Sequence, residues 1–260
     1  MYWAVRRRVL YAAGVIAFFA LVFGGPLAYK YFTIQPTCSD GILNQGEITV
    51  DRGGPCPLLN PATLQPSTVL WTRSFKVKDG TYSVAAYIEN PNSEAGVRAA
   101  RYRVKLYDAD NILVAEREGK TFVMPGGITP VFEGGLDAGH RVAERAFFEF
   151  TGMLVWEQMR DVARDVRVSE IVPSDTDTVP RIAATLTNIS VAPLFDISAV
   201  AVVFDPAGNA FAASSTHLPR LAAGASARVT FTWPDPFPAS IGRVDIIPLV
   251  SPVSALIPQP

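Results

Sequence analysis

Residues 69–77 read Val-Leu-Trp-Thr-Arg-Ser-Phe-Lys-Val, and this stretch decides the fold class. The odd positions carry Val69, Trp71, Phe75 and Val77, and the even positions are mostly polar. Successive side chains of a β-strand point to opposite faces, so a period of two places the apolar side chains on one face. The stretch therefore predicts an antiparallel strand with one face in the core and one in water.

The same alternation recurs along the chain, at residues 82–88 and again at residues 101–106. Asn-Pro, Asp-Asn and Pro-Gly-Gly separate these runs, and such residues favour turns. Only residues 156–165 carry an apolar spacing near 3.6 outside the N-terminal segment. The sequence therefore predicts an all-β protein built from antiparallel sheets.

The β region also repeats. Asn90 and Asn188 each end a similar strand, 98 positions apart, and Asp108 and Asp205 each follow an apolar-aromatic pair, 97 positions apart. A third landmark, a turn glycine before an apolar pair, follows at a similar offset. Landmarks in the same order at a near-constant offset indicate two tandem domains.

These landmark residues have structural explanations. Asn188 lies in the glycosylation sequon Asn-Ile-Ser, but Asn90 has no sequon, so a shared role at the end of a strand is the better interpretation. Asp108 and Asp205 each precede turn residues. An aspartate at that place favours a β-turn, so a role in the turn is a better interpretation than catalysis.

Each repeat resembles the FxLYD family of small immunoglobulin-like sandwiches. The first contains Val104-Lys105-Leu106-Tyr107-Asp108, with valine where the family name implies phenylalanine, and the second keeps only Phe204-Asp205. The resemblance covers about residues 67–155 and 165–250. It implies two immunoglobulin-like antiparallel β-sandwiches and says almost nothing about function.

The N-terminus has a different character. Residues 9–29 carry no charge and directly follow Arg6, Arg7 and Arg8. At about 1.5 Å per residue they span roughly 30 Å, the thickness of a bilayer core. The flanking arginines predict a cytoplasmic N-terminus and export of the remainder across the cell membrane. A cleaved signal peptide is the alternative, although the run is long for one and Pro26 is unfavourable after a cleavage site.

Cys38 and Cys56 are the only cysteines, and both lie in a Gly- and Pro-rich stretch just beyond this apolar segment. An even pair in an exported loop indicates a disulfide. On the chain-entropy estimate, a disulfide that closes a loop of this size stabilises the folded state by roughly 3 kcal/mol.

This stretch resembles a small cysteine-rich module of bacterial and archaeal surface proteins, with the pattern C-x-D-G-x-x-N-x-x-E-x-x-x-D-C-G-G-x-C-P-x-C. The matching positions are Cys38, Asp40, Gly41, Asn44, Glu47, Asp51, Gly53, Gly54, Cys56 and Pro57. Arg52 and Leu59 stand where the module has its other two cysteines, which implies that Cys38 pairs with Cys56.

Calcium binding by this loop is an alternative. Its oxygen donors are Asp40, Asn44, Glu47 and Asp51. Their spacing differs from that of an EF-hand, and Asx turns explain the same residues without an ion. We therefore expect no metal and no cofactor.

Charge and motif content exclude several classes of function. The first 32 residues carry four of the 23 basic residues and no acid, so the remainder holds 19 basic and 24 acidic residues. This mildly acidic balance argues against a nucleic-acid partner. His140 and His217 have no neighbour at metal-ligand spacing, and the serines lack a nucleophile elbow. We therefore expect no enzymatic activity.

The resulting division is a basic N-terminus at 1–8, a transmembrane anchor at 9–29 and a disulfide-containing linker at 30–66. Sandwiches at 67–155 and 165–250 are joined by a linker at 156–164, with turn-like residues reaching 173–177, and a Pro-rich extended tail follows at 251–260. This predicts a single-pass membrane protein for envelope organisation or protein–protein contact, with unknown protein partners. The alternative is an accessory subunit of a secretion, pilus or transport complex, assembled through its transmembrane helix; an exported hydrolase has the least support.

Overall fold

A computed structural model describes residues 2–33 and 37–252, so most of the predicted extended tail lies outside the described residues. The fold is all-β behind one N-terminal helical segment, as the sequence predicts. The chain divides into two compact units, Met1–Cys56 and Pro57–Pro260.

The first unit begins with helix α1 (Tyr2–Phe19), continues through a π-helical turn (Ala20–Gly24) and ends in helix α2 (Gly25–Thr33). The apolar part, Val5–Tyr29, is long and apolar enough to cross a membrane, and either an anchor or a signal sequence has this character. Pro26 explains the π-helical turn, because it lacks an N–H donor and its ring collides with the carbonyl four residues earlier.

The second unit contains the strands, in two sets. The first set is β1 (Thr68–Lys78), β2 (Thr81–Asn90), β3 (Ala95–Tyr107), β4 (Leu113–Val123), β5 (Gly127–Asp137), β6 (Arg145–Phe150) and β7 (Trp156–Gln158). The second set is β8 (Val166–Ser174), β9 (Arg181–Asn188), β10 (Leu194–Phe204), β11 (Ala210–Leu221), β12 (Ser226–Thr232) and β13 (Arg243–Val250).

Each set forms two antiparallel sheets with the same strand order. The first set pairs as β1-β2-β5 and β4-β3-β6, with β7 also paired to β3. The second set pairs as β8-β9-β12 and β11-β10-β13. In the first sandwich, alternate residues of β2 such as Val84 and Ile88 meet Val104 and Leu106 of β3 across the core. Alternation therefore fills the space between the sheets.

The two sandwiches also pack on each other, which the sequence analysis did not predict. The outer face of β1-β2-β5 lies against the outer face of β11-β10-β13, and one buried cluster spans both. The ring centre of Trp71 lies 4.3 Å from that of Tyr87 and 6.3 Å from that of Phe204. The prediction that this sheet has one face in its own core and one in water is therefore wrong. Trp71 and Phe75 of β1 face the second sandwich instead of the first core, and Ala85 of β2 is fully buried in the same cluster.

The segment between the sandwiches is more ordered than predicted. Trp156 opens β7, which pairs with Ala95–Val97 of β3, so the predicted linker starts inside the first sandwich. Val162–Asp165 forms a short 3₁₀ helix capped by the side chain of Asp161. Residues 173 and 174, predicted as turn-like linker, belong to β8 and pair with β9. Pairing with a neighbouring strand here overrides the local turn preference.

Candidate functional site

The disulfide loop occupies residues 37–56 of the first unit. A disulfide joins Cys38 to Cys56, and Cys56 is completely buried. Glu47 is also buried, and its Oε1 lies 3.2 Å from the Sγ of Cys56. A disulfide sulfur carries no hydrogen, so this close approach is a packing contact.

The acidic side chains of this loop organise its backbone. Asp40 accepts hydrogen bonds from the N–H groups of Thr37 (3.1 Å) and Ile42 (2.9 Å). Glu47 Oε2 accepts one from the N–H of Asp51 (3.1 Å). The bond from Asn44 is the main reason why the pKa of Asp40 lies below its ordinary value. This is the chemistry of Asx turns.

The structure does not gather the four suggested calcium ligands around a point. Within residues 2–33 and 37–252, the one group of three acidic, cysteine or histidine residues with ligand atoms within 4.8 Å of one another is Cys38, Glu47 and Cys56. Two of its three donors are the sulfurs of the disulfide. Asp40 and Asp51 are not part of it.

Asn90 and Asn188 occupy equivalent places at the ends of β2 and β9, and both are fully buried. Asn90 Nδ2 donates to the carbonyls of Ala95 (2.7 Å) and Met124 (2.8 Å). Asn188 Nδ2 donates to the carbonyl of Ala192 (2.8 Å) and reaches two more at residues 221 and 222. Each amide thus ties the loop after its strand to the end of a strand in the opposite sheet.

Asp108 and Asp205 have equivalent places after β3 and β10. Asp108 Oδ1 accepts from the N–H of Ile112 (2.9 Å), and Asp205 Oδ1 accepts from the N–H of Asn209 (2.7 Å). These backbone hydrogen bonds are the main cause of a lowered pKa at both aspartates. Arg141 adds an ion pair to Asp108 at 2.5 Å. Both side chains close a hairpin turn.

The remaining sequence candidates are dispersed. His140 and His217 are exposed, and His217 lies 4.0 Å from Asp196. Arg6, Arg7 and Arg8 are exposed on α1, where the guanidinium of Arg7 lies 4.0 Å from the ring centre of Trp3.

The second unit has two concave surfaces that the sequence did not predict. The first, the inter-sandwich cleft, has a volume of about 240 Å³ and is lined by Phe75, Phe132, Phe211, Trp233 and Phe237 among others. Trp233 donates its indole N–H to the carbonyl of Ala213 at 3.0 Å, so its ring is fixed. The run Trp-Pro-Asp-Pro-Phe-Pro at 233–238, which lines this cleft, is the feature of the sequence that could have indicated it.

The second concave surface lies on the outer face of β4-β3-β6. This open pocket has a volume of about 350 Å³ and is lined by Lys105, Tyr107, Asn111, Phe147, Phe148 and Glu149. Next to it, Arg103 pairs with Glu116 at 3.6 Å and also with Glu118. We call the group Tyr107, Asn111, Phe147 and Glu149 the aromatic patch. Its only signal in the sequence was an aromatic residue on an otherwise charged strand face.

Comparisons with known proteins add little. No family model matches the chain, and no curated protein matches it. Among solved structures, a transglutaminase of red sea bream is similar over 70% of this chain and 29% of its own, with 12% identity and a TM-score of 0.24. The C-terminal globular domain of an oligosaccharyltransferase from Pyrococcus abyssi is similar over 71% and 46%, with 10% identity and a TM-score of 0.13. The chain thus spans less than a third of the transglutaminase, and similarity this low carries no functional argument.

Proposed function

We propose that this protein is a non-enzymatic, membrane-anchored extracytoplasmic protein whose two immunoglobulin-like domains form one rigid contact module of the envelope. The observation that carries the proposal is the apolar interface between the sandwiches, centred on Trp71, Tyr87 and Phe204. Such an interface holds two domains at a fixed relative position, as a spacer or adhesion module requires. Two linked but independent domains would need no such surface.

The buried polar side chains support a structural role over catalysis. Those of the described residues are Glu47, Ser83, Asn90, Asp108, Thr129 and Asn188. Four of them, Glu47, Asn90, Asp108 and Asn188, bond backbone groups of nearby loops. Thr129 likewise accepts the N–H of Met124 at 2.9 Å. A catalytic set would instead bring an acid, a base or a nucleophile together in a cleft.

The proposed topology is tested first. Intact cells and opened cells expressing the full chain are treated with trypsin, and cleavage after exposed Arg220 and Arg228 is followed by mass spectrometry. Cleavage of both in intact cells, or in cells stripped only of an outer barrier, supports an extracytoplasmic module. Protection until the cell membrane is opened would overturn the assignment.

The contact role is tested by photocrosslinking in the same cells. A photoreactive residue replaces Thr185 on the outer face of β9 or Glu118 on the outer face of β4, and Ala184 in the core serves as the matched control. One discrete adduct from a surface position and none from Ala184 supports a contact module. Absence of any adduct from both faces contradicts it.

An assembly role for the helix is the second candidate. Every side chain that the structure describes in Val5–Tyr29 is exposed, including the small residues Ala12, Ala13, Gly14 and Ala17. Small residues permit close packing of helices in a membrane. Replacing residues 9–29 with an unrelated anchor would abolish association with membrane partners under this alternative. Under the leading proposal, the same replacement would leave the crosslinks from Thr185 or Glu118 unchanged.

A further inference from the structure

We propose that the aromatic patch on the outer face of β4-β3-β6 binds a neutral saccharide, one or two sugar rings at a time. The pocket that holds the patch is open and about 350 Å³ in volume. This lies at the small end of the roughly 300–1,000 Å³ range of small-ligand sites. The proposal rests on the proposed function only in placing this face outside the cell.

The stacking surface is Phe147. Phe147 is 53% exposed, although it is a large apolar residue on a strand. Tyr107 meets it edge-on, with ring centres 5.5 Å apart and an angle of 87° between the rings. This contact restrains the ring, so binding costs little side-chain entropy. The negative face of an aromatic ring attracts the weakly positive C–H groups of one face of a sugar ring.

Two polar side chains flank this ring. Glu149 accepts a hydrogen bond from Lys105 Nζ at 2.7 Å through Oε1, and this bond lowers the pKa of Glu149. The carboxylate is therefore ionised at neutral pH, and Oε2 points to no hydrogen-bond donor among the described residues. Asn111 sits in the β3–β4 turn with a φ of 61°, and its N–H donates to the carbonyl of Asp108 at 3.2 Å. The turn fixes the backbone of Asn111, whose side-chain amide can both donate and accept hydrogen bonds.

The charge around the patch favours a neutral ligand. Lys105 and Glu149 neutralise each other, and Arg103 is already paired with Glu116 and Glu118. The pocket lining therefore carries one positive and one negative side chain, so a charged ligand gains no net attraction from it; Arg145 lies opposite Tyr107 but outside this lining. Sugar hydroxyls, in contrast, need a hydrogen-bond acceptor and an amide beside an apolar face, and the patch offers these in Glu149, Asn111 and Phe147.

Binding is measured by saturation-transfer-difference NMR on the full chain. The detergent must be zwitterionic, because a maltoside headgroup would itself occupy the site. The probes are cellohexaose, maltohexaose and chitohexaose, each at about 10 mM, a concentration that detects affinities as weak as a few kcal/mol. We expect saturation of the ring protons of at least one probe.

Three variants locate the site. Phe147→Ala should weaken binding at least about tenfold, equivalent to about 1.4 kcal/mol. Glu149→Gln keeps the shape but loses the charged acceptor and should weaken it about fivefold, since charge-assisted bonds are stronger. Val191→Ala, at a fully exposed apolar position of the second sandwich, should change nothing.

Several results would overturn the proposal. Absence of saturation for all three probes would do so, as would equal binding by the wild type and Phe147→Ala. If light scattering shows a dimer that Phe147→Ala dissociates, the patch is an interface between copies of this chain. The NMR measurement does not depend on membrane topology, so failure of the proposed location and failure of sugar binding are separate outcomes.

Discussion

Replacing Asn188 with alanine should be among the most damaging single changes on this chain. The side chain has two amide hydrogens, and three carbonyl oxygens lie within 3.2 Å of Nδ2, at residues 192, 221 and 222. Two hydrogens cannot make three full bonds, so we count two. Oδ1 also accepts from the N–H of Ser190 at 2.9 Å. Asn188 has no exposed surface, so its removal leaves these backbone groups without their partner inside the fold.

The magnitude follows from this count. A buried group left without its partner costs about 1–3 kcal/mol, and relaxation toward solvent at the loop recovers a part. We therefore expect Asn188→Ala to lower the free energy of unfolding by about 3 kcal/mol. For a unit of roughly 200 residues, this corresponds to a fall in Tm of about 6–12 °C. Calorimetry or circular dichroism of the full chain in detergent measures it.

Two matched variants separate the amide from the rest of the sequon. Ser190→Ala removes the hydroxyl contact to Oδ1 at 2.7 Å but leaves Nδ2 in place, so its cost should stay near 1 kcal/mol. Asn188→Asp places a carboxyl against carbonyl oxygens, which raises its folded-state pKa above the unfolded value. Its protonated form is then favoured, so the variant should gain relative stability as the pH falls toward about 4.

The reasoning would be refuted by an Asn188→Ala variant that loses less than about 1 kcal/mol, or by an Asn188→Asp variant whose deficit grows as the pH falls. The same geometry predicts that the sequon stays unmodified in a glycosylating host, because its acceptor nitrogen is buried and bonded. A mass increase at Asn188 in the folded protein would show that the site opens.

Three further predictions test other parts of the chain. Replacing Cys38 and Cys56 together by serine should accelerate tryptic cleavage after exposed Arg52 and leave the Tm of the Pro57–Pro260 unit unchanged, because the roughly 3 kcal/mol of loop stabilisation belongs to the first unit alone. Ala85→Glu buries a carboxylate between the sandwiches and should split one thermal transition into two, whereas Val191→Glu at a fully exposed position should keep a single transition. The N–H of Ile112 is the main reason why the pKa of Asp108 is lowered, so the ionised carboxylate stabilises the fold above pH 4 and this stabilisation is lost as the pH falls further. In Asp108→Asn, the free energy of unfolding should therefore depend less on pH in the acid range.

The strands were predictable because their signal is local. Alternation in residues 69–77 identifies a strand with an apolar face, although that face meets the second sandwich instead of the first core. The equivalent places of Asn90 and Asn188 follow from the constant offset between the repeats. The stacking of the sandwiches depends on two distant faces that fit each other, so no single window reveals it. A clue was nevertheless present: in Val84-Ala85-Ala86-Tyr87 and in Ala199-Val200-Ala201-Val202 the intervening positions are apolar as well, as expected of strands buried on both sides.

The position of β7 and of the aromatic patch could not be predicted for a related reason. Trp156 reads as the start of a linker because residues 156–165 show an apolar spacing near 3.6 and no alternation, and its pairing with Val97 makes it a strand. Tyr107 and Phe147 lie 40 positions apart, and the β3–β6 register brings them together. The sequence shows each aromatic residue, whereas the pocket arises from the register.

The covered and free faces of the two sandwiches differ in polarity. The contact joins two different faces, β1-β2-β5 of one sandwich and β11-β10-β13 of the other, and such a head-to-tail contact can in principle repeat without end. The faces left over cannot repeat it. The outer face of β8-β9-β12 presents Thr185, Thr187, Arg228 and Thr230, and that of β4-β3-β6 presents paired charges. Burying those charges against threonine would cost desolvation, so these two faces do not form the same contact.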